Sequence, residues 1–396
     1  RALTLAIRFI LVKNYLCMLE VTGGTSMQRN TAQAHFARGE EQRASGKFTE
    51  ALHSYREAAE RLRRRGDEPG LLACRLAQGH CLRLLGRFAQ ARARYQDALA
   101  LAIRLHTPTD RADADVGLGM SLRALGDTTG ALRFFARAGR TYHVAGDTLG
   151  AAYVLWATAG ALRIRGRLTH AFETFQRAHA LFTSQGDRRG IAYSLCGLGG
   201  VSRLMGNLYD SLAYYTEAHR EFGRLRDTFG RAYAACGIAN AHRMFGRRKT
   251  ALAHFATARH LYARIRDRIS YAYTLWGEGT LYKVSGDLGR AKRVFAEAAA
   301  IFRATRDPRG RVYTRLAIGE LMILQGRNRP ARRLLHTARQ EARRHGFRFE
   351  QLHVELLLAA LRRREGRRVS TAHLRRRYAA LGSTFGDERD LPLNLP

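Results

Sequence analysis

Apolar residues along this chain fall on two periods at once. The short one is helical: alanine, aromatic and alanine stand four and three residues apart, as in Ala91, Tyr95, Ala98 and in Ala251, Phe255, Ala258, a spacing that places all three on one stripe of a helix. The long period is 40 residues. The first alanine returns at Ala51, Ala91, Ala131, Ala171, Ala251, Ala291 and Ala331, with Ser211 in the gap, and the second at every step from Ala58 to Ala338. The ring returns at Tyr55, Tyr95, Phe135, Phe175, Tyr215, Phe255 and Phe295 before giving way to Leu335. Five residues ahead of each first alanine stands a glycine, from Gly46 to Gly326, and the series runs on to Gly366; a chain leaving a helix there can turn through a left-handed conformation. Seven residues further back lie Gly79, Gly119, Ala159, Gly199, Ala239, Gly279 and Gly319, small enough to let two helix backbones approach closely. The pattern predicts a helix-turn-helix unit repeated along almost the whole chain. Asp67, Asp147, Asp187, Asp227, Asp267 and Asp307 are the expected N-caps of the first helices, with Pro308 at a first helical position. No strand pattern competes.

The spacing of small residue, turn glycine, alanine, aromatic and alanine resembles the tetratricopeptide repeat. That resemblance implies an all-α, right-handed superhelical solenoid of helix-turn-helix units, each touching mainly its neighbours. On it, residues 1–26 form a non-repeat segment, 27–346 eight units, 347–382 a degenerate ninth unit acting as a cap, and 383–396 a tail expected to fray beyond Gly386. The 40-residue unit is longer than the family's basic 34. Its Gly-Asp-x-x-Gly junctions at Asp147 to Gly150 and Asp187 to Gly190 resemble the LGN-type adaptors, a subset that binds extended peptides in its groove, but only Asn240 matches that subset's groove asparagine, so its ligand does not carry over. The family's carboxylate clamp is missing: Leu76, Val116, Trp156, Cys196, Cys236 and Trp276 stand at the matching positions. Chaperone-tail binding is therefore not expected.

Charge adds a direction. With 68 basic against 33 acidic residues the net charge is +35, which favours an acidic or polyanionic partner over a basic one. Arginine in place of lysine fits a GC-rich coding sequence, but the shortage of acids needs another reason. Arg43, Arg83, Arg123, Arg163, Arg203, Arg243 and Lys283 form a series three residues before the turn glycines, lapsing at Ile323. In the family this position faces the concave groove, where a basic ladder can grip carboxylates or phosphates. The same residues also complement the helix macrodipole in a last turn, by about 0.3 to 1 kcal/mol, so both readings stand. A second ladder, Tyr153, Tyr193, Tyr233, Tyr273 and Tyr313, lies ten residues earlier, with Trp156 and Trp276 on the same face. It serves either as contact surface for a ligand or as packing between units. Gly117, Gly197, Gly237 and Gly277, with Gly160 and Gly200, put little side chain on the expected concave face and predict an open channel.

The expected function is a non-catalytic adaptor that binds an extended, acidic protein segment. The residues expected to bind the partner are Arg83, Arg123, Arg163, Arg203, Arg243 and Lys283, with Tyr153, Tyr193, Tyr233, Tyr273, Trp156, Trp276 and Asn240. Two other readings remain open: RNA or single-stranded nucleic acid on the same face, and the sensor half of a larger signalling protein. No HExxH, phosphate loop or Ser, His and Asp set stands outside the repeat register, so no enzyme activity, cofactor or metal is expected. Cys17, Cys74, Cys81, Cys196 and Cys236 form no CxxC, and with no disulfide expected they point to a reducing, cytoplasmic setting. Arg8, Lys13 and Glu20 interrupt the apolar stretch near residue 1, too soon for a membrane span; that stretch reads as a linker or overextended frame ahead of Met27, or as an amphipathic anchor or capping helix.

Overall fold

The computed structural model describes residues 26–385 and 390–396. The expectations for the stretch before Ser26, including Cys17, lie outside the described residues. Those residues form eighteen α-helices and no strand. The chain divides into two compact bodies, one running to Ala157 and including Leu181–Gly190, the other holding Thr158–Ala180 and Ile191–Pro396.

First helices of the repeats are α1 (Ser26–Ala44), α3 (Glu68–Leu84), α5 (Pro108–Ala124), α7 (Thr148–Ile164), α9 (Arg188–Met205), α11 (Thr228–Met244), α13 (Arg268–Val284), α15 (Pro308–Leu324) and α17 (Arg348–Arg364). Their partners are α2 (Phe48–Arg64), α4 (Phe88–Arg104), α6 (Thr128–Val144), α8 (Leu168–Ser184), α10 (Leu208–Arg224), α12 (Arg248–Arg264), α14 (Leu288–Ala304), α16 (Asn328–Arg344) and the shorter α18 (Ala372–Ala380). Each start is set by the sequence. All six expected aspartates accept a hydrogen bond from the backbone N–H three residues on, at 2.8 to 3.2 Å, and Asp127 and Asp287 do the same for two second helices. Each of these bonds satisfies an N–H that the helix cannot pair itself, worth about 1 kcal/mol.

The stripe is the core. Its rings from Tyr55 to Phe295 are at most 3% exposed, and the flanking alanines are closed off completely. A Cβ placed on Gly119 would lie 2.4 Å from the ring of Phe135, so the expected close approach of the paired helices is real. The channel glycines have a different role from the one expected. A Cβ on Gly117 would meet Tyr95 at 2.2 Å, one on Gly197 would meet Phe175 at 2.4 Å, and one on Gly237 would meet Tyr215 at 2.3 Å. Each aromatic of one repeat thus lodges against the glycine of the next, and these positions are filled by rings rather than open to a ligand. Gly200 too is covered, since a Cβ there would lie 2.7 Å from the Arg163 guanidinium.

The second body closes on itself. Leu168 N–H donates to the Leu381 carbonyl at 3.3 Å, Ser383 Oγ donates to the Leu204 carbonyl at 2.8 Å, and Thr384 N–H donates to that of Met205 at 3.1 Å. The end of the ninth repeat therefore docks on the turns of the fourth and fifth. Beyond it, residues 391–396 run along α15, α13 and α11, with Leu393 and Leu395 buried. The frayed end expected after Gly386 is, over these residues, a seated segment: its leucines leave water and its main-chain groups find partners on the helices.

Candidate functional site

The basic ladder has different surroundings in the two bodies. In the first body, Arg43 donates to the Tyr55 hydroxyl at 3.1 Å and pairs with Glu40. Arg83 lies 3.4 Å from His80 Nδ1. Arg123 donates to the Ala157 carbonyl at 3.2 Å and stands 5.9 Å over the ring of Trp156, which in turn stacks on Tyr153 at 5.6 Å.

In the second body two rungs, Arg243 and Lys283, hold the seated segment. Arg243 is fully buried; its Nε donates to Asn240 Oδ1 at 3.3 Å, one terminal nitrogen to Asn394 Oδ1 and the other to the Leu395 carbonyl at 2.9 Å. Asn394 returns a bond to the Arg243 carbonyl at 3.4 Å. One rung on, Lys283 Nζ donates to the Leu393 carbonyl at 2.8 Å and pairs with Glu320, whose other oxygen accepts from the Leu393 N–H. A peptide is thereby held by its main chain: two cations take carbonyls and one carboxylate takes an N–H. Asn240 keeps its own amide oriented by donating to the Cys236 carbonyl at 2.9 Å.

Electrostatics separates these rungs. Burial pushes the Lys283 ammonium down, and Glu320 pulls it back up. Burial also pushes the Arg243 guanidinium down to about 9, with the neighbouring Arg203 adding to the shift. A guanidinium stays charged regardless, so Arg243 is a desolvated cation answered by amide and carbonyl dipoles alone. Arg203 is less satisfied still. Nothing among the described residues accepts from its Nε and Nη1, both shut off from solvent, and Nε of Arg163 is in the same condition. A buried donor left unpaired costs about 1 to 3 kcal/mol, and more when it is charged.

The aromatic ladder divides between roles. Tyr193 donates to Asp227 at 3.3 Å and Tyr273 to Asp307 at 3.1 Å, so these hydroxyls lock onto the N-cap of the following repeat while their rings meet Phe222 and Phe302. Trp276 lies 4.6 Å from Tyr313, and Tyr233 sits edge-on to Tyr215 at 6.3 Å. Two participants escaped the sequence reading. Glu320 shares the 40-residue register of Asn240 and was detectable as the carboxylate beside the rung where the ladder lapses; the segment 391–396 carries no repeat signal at all. Among the described residues no set of three His, Cys, Asp or Glu side chains is placed to hold a metal, and no helix is long and apolar enough to cross a membrane. Cys74, Cys81, Cys196 and Cys236 are free thiols.

Residues 28–104 match the family model of the tetratricopeptide repeat. No curated protein matches the chain by sequence. Among solved structures, a Rap protein complexed with Competence and Sporulation Factor is 13% identical, with a TM-score of 0.58 over 85% of this chain and 98% of that one. The Rap conjugation gene regulator of plasmid pLS20, in complex with the Phr* peptide, is 15% identical, with a TM-score of 0.61 over 79% and 95%. Aspartyl phosphate phosphatase F from Bacillus subtilis is 10% identical, with a TM-score of 0.52 over 91% and 94%. At these identities the likeness is one of fold: the chain is an all-α superhelical repeat of the tetratricopeptide kind.

Proposed function

We propose that the chain is a non-catalytic interaction scaffold that binds an extended peptide segment in the groove of its second body. One observation carries this reading: the groove already holds an extended stretch, residues 393–395, through main-chain bonds to Arg243, Lys283 and Glu320. A structural neighbour in complex with the Phr* peptide supports a peptide as the class of ligand. Arg163, Arg203, Arg243 and Lys283 supply the charge in this reading, Asn240 orients Arg243, and Tyr233 and Trp276 supply apolar wall. The excess of cations makes the partner acidic, and the free thiols suit a cytoplasmic setting.

Selection of a displayed random-peptide library on the full chain, counter-selected on Arg203→Met, tests the reading. Enrichment of peptides that the variant releases is the expected outcome. Enrichment that Arg203→Met leaves untouched would move the site elsewhere, and the absence of any enrichment would contradict peptide binding.

A further inference from the structure

Resting on that reading, we infer that the segment 391–396 is a built-in stand-in for the ligand, and that the ligand displacing it is a short leucine-containing peptide bearing a carboxylate for Arg203 and Arg243. The segment satisfies half of what the groove offers. Leu393 and Leu395 fill its apolar part, at 1% and 8% exposure, and their main-chain groups engage Lys283, Glu320 and Arg243. The segment's side chains bring no charge. Residues 391–396 read Leu-Pro-Leu-Asn-Leu-Pro, so Arg243 receives an amide oxygen where a carboxylate would fit.

Arg203 lies on the adjoining rung, in the direction the segment travels as it passes from Lys283 to Arg243. Two of its nitrogens are buried without an acceptor among the described residues. Glu320, the groove's own carboxylate, is taken up by Lys283 and the Leu393 N–H, at the other end of the seated stretch. A peptide of the same apolar pattern with a carboxylate would keep the main-chain bonds and add charge-assisted bonds to two arginines. It therefore outcompetes an occupant whose side chains carry no charge, while the tether gives that occupant a high effective concentration and sets the threshold for release.

Two labelled, C-terminally amidated peptides test this by fluorescence anisotropy: Leu-Pro-Leu-Asn-Leu-Pro and Leu-Pro-Leu-Asn-Leu-Asp. They are titrated against the full chain, against Leu393→Ser/Leu395→Ser, which loosens the tether, and against Arg203→Met. The acidic peptide is expected to bind at least about 10-fold more tightly than the neutral one, with that preference lost in Arg203→Met. Both peptides are expected to gain at least about 10-fold on the serine variant. Equal affinity of the two peptides would overturn the carboxylate, and equal affinity for the full chain and the serine variant would overturn the stand-in. Binding of neither peptide to any of the three would overturn this ligand class, whereas the scaffold reading falls only with the library selection.

Discussion

Arg43 and Arg243 occupy the same position of two repeats and serve opposite ends. In the first body Arg43 is neutralised three residues upstream by Glu40 and tied to Tyr55, which makes it part of the structure. In the second body the residue three positions upstream of Arg243 is Asn240, which offers only a dipole, and three upstream of Arg203 is Gly200, which offers nothing. One turn of helix decides between an inward-paired cation and one left for a peptide, because residues three apart face each other. A ladder in sequence is therefore not a ladder in chemistry: Arg43 and Arg243 differ in the companion at i−3, whereas Lys283 finds its carboxylate one repeat on, in Glu320.

The largest expected effect is one the two bodies share. Tyr95→Ala in the first body and Tyr215→Ala in the second each empty a ring site lodged between two glycines, and each is expected to cost about 3 to 5 kcal/mol by chemical denaturation. A much smaller loss in one body would break the claim that each is built on the same packing of ring against glycine. Next, Glu40→Gln leaves Arg43 buried without its counter-ion and is expected to cost about 3 kcal/mol. Asn240→Asp makes the reverse change, giving Arg243 the charge that Arg43 enjoys. Its expected gain is about 1 kcal/mol in stability, together with an affinity for the acidic peptide lowered about 10-fold, a difference of about 1.4 kcal/mol. Loss of stability in this variant would mean that Arg243 is not short of negative charge.

The smallest effect concerns the turns between repeats. Gly66, Gly146 and Gly186 turn at φ of 68°, 66° and 65° in the first body, with His106 at 53°, while Arg226, Arg266 and Arg306 hold φ of 52°, 58° and 55° at the same register in the second, with Gly346 at 66°. A side chain in that left-handed region costs about 1 kcal/mol, so Arg266→Gly is expected to raise the melting temperature by a few degrees. No change in a thermal scan would show that the turn carries no strain.

The repeat was legible because packing imposes it. Alanine, ring and turn glycine recur wherever one helix must nest on the next, so their register gave the helices, the caps and the buried stripe. The glycines at Gly117, Gly197 and Gly237 were misjudged for the same reason: position on a helix face does not say whether open space or the ring of the preceding repeat lies opposite. The closure of the second body through Leu381, Ser383 and Thr384 has no periodic signature, nor does the seating of residues 391–396. Both depend on how repeats far apart in sequence come together, which local pattern does not encode.

Hydrogen exchange of the full chain, followed by mass spectrometry with and without the peptide Leu-Pro-Leu-Asn-Leu-Asp, is the most direct measurement. Amides of residues 391–396, led by the Leu393 N–H bonded to Glu320, are expected to exchange slowly in the chain alone and to speed up when the peptide saturates the groove, while α11 and α13 stay protected. Exchange of that segment at free-peptide rates from the start, or slow exchange that saturating peptide leaves unchanged, would contradict a ligand groove held by its own chain.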